Sequence, residues 1–179
     1  MKTLCALALA CLVALPAFAQ APAAPPANPI TASVGGQLAM VKGNIVKSAE
    51  QVPESLYGFK ATPEVRSFGQ LFGHVADANY AICAVAAGEK NPGLNVEKTK
   101  TTKADLIAAL NESFAYCEKA LAATTDANGG EMRELFGMKM ARLAWLSFAV
   151  SHDFEHYGNI VTYQRLNKMV PPSSQGRGM

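Results

Sequence analysis

Residues 145–163 read WLSFAVSHDFEHYGNIVTY, and both the fold and the chemistry of the chain turn on them. Trp145, Ala149, His152, His156, Ile160 and Tyr163 recur every three or four positions, the spacing of one helix face. Side chains at i and i+4 stack on such a face, so His152 and His156 present two imidazoles side by side. The chain has three histidines in all. The third, His74, lies in Leu71-Phe72-Gly73-His74-Val75-Ala76-Asp77, on a second helical stripe with Ala78, Ala81 and Val85. Two imidazoles from one helix and one from a facing helix make a three-nitrogen metal set. The competing reading is three core histidines, each bonded to a carbonyl. The placement of every histidine on the inner face of one of two long helices favours the metal. The zinc-protease motif HExxH is absent, because Asp153 follows His152.

The remaining periodicity is helical as well. A first segment spans Thr31 to Val52, with Leu38, Val41, Ile45, Ala49 and Val52 on one stripe. The second, which carries His74, is expected to start with Thr62 as N-cap and Pro63 at the first helical position, and to end near Gly88. The third starts at Lys103 behind Thr102 as cap, with Asp105 three residues on, and carries Leu106, Leu110, Phe114, Cys117 and Leu121. The fourth covers Glu131 to Lys168, with a break near Gly137, and stops at Pro171-Pro172. No stretch shows sustained strand alternation. The expectation is an all-α four-helix bundle. Residues 89–102 are polar and contain Pro and Gly. Extended at about 3.3 Å per residue they reach back along most of a helix, which allows segments two and three to run parallel.

Of four cysteines, Cys5 and Cys11 fall in the first nineteen residues, and Cys83 and Cys117 remain. Parallel packing would bring these two to similar heights, as a disulfide needs. Cys83 lies nine positions after His74, about half a turn around the helix, so it points away from the histidine. A disulfide separate from a histidine site fits better than a mixed Cys/His site. Two buried thiols that never meet are the alternative.

The N-terminus reads as a secretory signal peptide over residues 1–19: Lys2, an apolar run from Leu4 to Leu15, Pro16, and Ala17-Phe18-Ala19 as the cleavage site. A lipoprotein signal at Cys11 is the weaker reading, since Ala8 stands where Leu is usual. Residues 20–29, QAPAAPPANP, form a stiff linker that cannot build a core. Residues 30–170 form the bundle, and 171–179 a flexible tail. The chain is therefore expected to be exported, periplasmic or secreted, with a Cys83–Cys117 bridge suited to that compartment. A net charge of +2 points to neither nucleic acid nor an anionic membrane. Outside the signal, no segment is long and apolar enough to span a bilayer.

His74 on a second helix, followed by His152-Asp153-x-x-His156 and Gly158-Asn159-Ile160 on the last, resembles the DinB/YfiT-like family. The run from Leu71 to Asp77 is similar to that family's first-histidine segment, and the resemblance covers residues 31–170. It implies a bundle of up-down-down-up topology, a metal triad of His74, His152 and His156, and a homodimer. It also implies that some relatives use the metal in reactions of low-molecular-weight thiols. The chain departs in Tyr157, where relatives often carry Arg, and in its signal peptide, since such thiols abound in the cytosol.

Three neutral imidazoles leave coordination positions open. The expected function is a metal-dependent hydrolase or transferase acting on a small molecule, with Glu155 or Asp77 as general base. The alternative is a non-enzymatic bundle that carries a metal or small ligand in the cell envelope. Zinc or nickel leads the expectation for the ion, followed by iron, manganese or copper. The chain has seven methionines, but Met138 and Met140 read as core side chains and not as copper ligands.

Overall fold

A computed structural model of the chain describes residues 27–176. The signal peptide, most of the Ala/Pro-rich linker and the last three residues lie outside the described residues. The elements in order are α1 (Pro29–Gln51), α2 (Phe68–Ala87), a short α3 (Val96–Thr99), α4 (Lys103–Ala122), strands β1 (Met132–Leu135) and β2 (Met138–Ala141), and α5 (Arg142–Leu166). Among the described residues no helix is long and apolar enough to cross a membrane.

The four long helices form the expected bundle. Gly69 lies beside Leu106, the Tyr80 and Tyr116 rings meet at 5.5 Å, and Cys83 is bonded to Cys117, so α2 and α4 run parallel. Phe68 packs edge-on against Tyr163 while Asn79 faces Asp153, so α5 runs antiparallel to α2. Lys42 pairs with Glu118, and Lys103 reaches the carbonyl of Val52, so α1 opposes α4. Ser48 meets Gln164 near the C-terminal ends of α1 and α5. The topology is up-down-down-up, with α1 and α2 each packed between α4 and α5. Trp145, Phe68, Phe72, Phe114, Ile45 and Leu110 are fully buried on the faces that the helical periodicity marks. Each such side chain contributes about 1.5–3 kcal/mol through burial.

Three local features differ from the sequence reading. First, α2 begins at Phe68, with Ser67 as N-cap, and not at Thr62-Pro63. The Ser67 hydroxyl accepts from the Gln70 N–H at 3.2 Å, and the Gln70 side chain accepts from the Ser67 N–H at 2.9 Å. This reciprocal box satisfies two orphan donors where a lone Thr cap satisfies one. Second, residues 132–141, expected as helix, form an antiparallel hairpin with Leu135 opposite Met138. Phe136 and Gly137 turn it with φ of 53° and 74°, a conformation that Gly137 adopts at no steric cost. The Trp145 indole donates to the Arg133 carbonyl at 3.1 Å and ties the hairpin to α5. Met138 therefore lies on the surface, 42% exposed, and not in the core.

Third, the crossover is not merely extended but carries α3, docked against α2 beside His74. The Asp77 carboxylate accepts the backbone N–H groups of Val96 and Glu97 at 2.7 and 2.9 Å. Gly73 lets the α3 backbone approach: a Cβ there would stand 2.6 Å from the Glu97 Cα. Gly73→Ala should therefore push α3 off α2 and cost about 1–3 kcal/mol by overpacking. Urea denaturation measures the loss, and unchanged stability would mean that α3 is free to shift.

Of residues 171–179, Pro171 is buried and Ser173 exchanges hydrogen bonds with the Tyr157 hydroxyl at 2.8 and 3.0 Å.

Candidate metal centre

His74 comes from the first half of α2, and His152 and His156 from the middle of α5, where the antiparallel helices face each other. The three rings converge. Centroid separations are 4.4 Å for His152–His156, 4.6 Å for His74–His156 and 5.2 Å for His74–His152. One nitrogen from each ring lies within 4.8 Å of the other two. Tetrahedral coordination by imidazoles at about 2.0–2.1 Å places ligand nitrogens about 3.4 Å apart, so side-chain rotation suffices to close the set.

The donor chemistry fits a cation. The Nε2 atoms of His152 and His156 face each other at 3.1 Å. Two lone pairs at that distance repel unless a proton or a cation lies between them. The Nδ1 atoms of both rings are buried without a partner among the described residues. Burial holds all three imidazoles below the ordinary histidine value, Arg66 acts in the same direction on each, and neighbouring rings add to it at His152 and His156, while Glu97 opposes it at His74; His156 falls to about 4. The set is thus neutral at physiological pH, the state that a metal requires.

The acids are arranged differently from the sequence expectation. Asp77 spends both oxygens on the α3 backbone. Glu155 is exposed, and its charge opposes the lowering at His152. The carboxylate nearest a ring belongs to Glu97, on α3, with Oε2 3.3 Å from His74 Nδ1. Its other oxygen, Oε1, accepts from Arg66 Nε at 3.0 Å. Sequence reading missed both residues. The available signals were Asn95 before Val96, a residue type that tolerates the φ of 51° found there, and Gly73 beside His74.

Asp153, between the two ligand candidates, is fully buried. Burial pushes its carboxyl well above the usual range, against the opposing hydrogen bond from Asn79. The Asn79 amide, turned with its nitrogen toward the acid, reaches both oxygens at 3.2 and 3.3 Å. Asn79→Leu should cost about 1–3 kcal/mol by leaving the acid unpartnered. Chemical denaturation reads the difference, and a neutral result would mean that Asp153 finds another donor.

Beside the triad opens a cavity of about 590 Å³, reaching from His156 to Arg66 and Glu97.

The family model of the DinB superfamily matches residues 37–160, a span that includes all three histidines. No curated protein matches the chain. A DinB-like protein from Bacillus cereus is similar in structure, with a TM-score of 0.68 and 15% identity, over 79% of this chain and 95% of that one. A DinB-like protein from Bacillus subtilis gives a TM-score of 0.65 and 20% identity, over 82% and 99%. At these identities the structures speak for the bundle alone, while the sequence match extends over most of the described helices. Together with the observed topology, these matches establish that the chain belongs to the DinB superfamily.

Proposed function

We propose that His74, His152 and His156 hold one divalent cation and that this centre, with the cavity beside it, works as a metal-dependent hydrolase or transferase on a small molecule. The observation that carries the reading is the convergence of the only three imidazoles of the chain into one group. Zinc or nickel is the ion we favour, and the imidazole set also accepts iron or copper, with manganese a poorer match. When bound, such an ion acts as a Lewis acid and lowers the pKa of a bound water.

The protein's own part is positioning. Glu97, 3.3 Å from His74 Nδ1, is placed to orient that ring and leave Nε2 for the ion. Asp77 spends both oxygens on α3 and Glu97 spends its two on Arg66 and His74, so Glu155 is the sequence-expected acid left to carry a proton. Export to an oxidising compartment is part of the reading: the Cys83–Cys117 bridge supports it, as does the signal-like sequence of residues 1–19.

Elemental analysis of the purified protein tests the proposal, with about one divalent ion per chain expected. Absence of any ion, together with no uptake on titration, would remove it. Stoichiometric metal with a chelator-sensitive melting temperature, but no turnover on hydrolase and transferase panels, would favour the non-enzymatic carrier.

A further inference from the structure

The cavity beside the triad is lined mainly by polar groups, among them Lys60, Arg66, Gln70, Glu97, His156 and Asn159. Arg66 is the distinctive member. Its Nε donates to Glu97 at 3.0 Å, and its carbonyl accepts the Tyr163 hydroxyl at 2.8 Å. The side chain is thus fixed at its neck and the backbone at its base, while no group among the described residues bonds Nη1 or Nη2. An anchored guanidinium with two free nitrogens is a preformed fork for a planar oxyanion.

From this geometry we infer that the cavity takes a small carboxylate-bearing molecule, whose carboxylate pairs with the Nη atoms of Arg66 while its other end reaches the three-imidazole centre. The inference rests on the metal reading only for what happens at that far end. Carboxylate is favoured over phosphate by the surroundings. Lys60 and Arg66 are matched by Glu64 and Glu97 in the lining, so a single negative charge on the ligand is balanced there more closely than two. Arg66 and His156 line the same cavity, so a carboxylate held by Arg66 opens toward the centre. Glu97 links the two ends, with one oxygen on Arg66 and the other beside His74.

The test uses the full mature protein, metal-loaded, with benzoate, benzamide and inorganic phosphate as probes. Metal content is measured separately on each sample. Isothermal titration should show benzoate binding at least about tenfold more tightly than benzamide, the size expected for one charge-assisted fork pair. Arg66→Gln should erase that preference while keeping the metal, and Arg66→Lys should restore only part of it. Arg66 lies at the surface, and its carbonyl contact with Tyr163 survives either change, so both variants should fold. Equal binding of acid and amide, a full benzoate preference in Arg66→Gln, or phosphate bound as tightly as benzoate would each overturn the inference. None of these outcomes touches the metal reading. A protein that takes up no metal but keeps the Arg66-dependent preference would sink the metal reading and leave the carboxylate site standing.

Discussion

His156→Ala should weaken metal binding about a hundred- to thousandfold and leave the bundle folded. A structural metal site releases about 10–16 kcal/mol on binding, so one ligand of several is worth about 3–4 kcal/mol, or a hundred- to thousandfold in affinity. One imidazole on each of α2 and α5 would remain, without the ring that stands closest to both others. The fold should tolerate the change. Burial keeps His156 neutral, with its pKa down at about 4, so truncation strands no charge. The Nε2 contact it loses is a 3.1 Å approach to another imidazole, not a bond to the backbone. The chelator-treated variant should melt near the chelator-treated parent, while added zinc or nickel should raise the parent more than the variant. Retained tight binding in His156→Ala would mean that the ion, if any, sits elsewhere.

The parts of this site that the sequence revealed are those that obey a helical period. His152 and His156 are one turn apart, so their common face follows from the spacing alone. His74 sits among apolar residues, so its inward direction follows as well. The length of residues 89–102 allowed parallel packing of α2 and α4, the family resemblance implied it, and parallel packing in turn put Cys83 and Cys117 at the similar heights that the bridge needs. Glu97 could not be found that way. It reaches His74 through a tertiary dock, in which Asp77 and Gly73 of α2 receive a single helical turn of the crossover. A four-residue helix carries too little periodicity to announce itself. Asp77 was legible as an acid near His74, but its role depends on which backbone donors come to it, and those lie nineteen and twenty positions away. The hairpin was missed for a related reason: two strands of four residues, one turn of Phe136-Gly137, and a pattern too short to separate from a helix.

Replacing both Cys83 and Cys117 by Ala should cost about 4 kcal/mol of stability, because the bridge closes a loop with a sequence separation of 34. For a chain of this size that corresponds to a fall in melting temperature of about 8–16 °C. The location makes the constraint matter. The two helices it joins are parallel, so no tight turn holds them together, and the crossover between them is tied down mainly through Asp77 and the short α3. In the unfolded chain nothing else brings α2 and α4 to the same height. Alanine is the right replacement, since both sulfurs are fully buried and a serine hydroxyl there would add an unsatisfied polar group. Treating the unmutated protein with reductant should reproduce most of the loss, and the double variant should then be insensitive to reductant. A double variant that melts within about 2 °C of its parent would show that the reduced chain already keeps α2 and α4 together, and that the loop-entropy account fails for this bundle. A large reductant-dependent loss would instead mean that the fold reaches full stability only where disulfides persist, which is the physical content of the proposal that this chain works outside the cytosol.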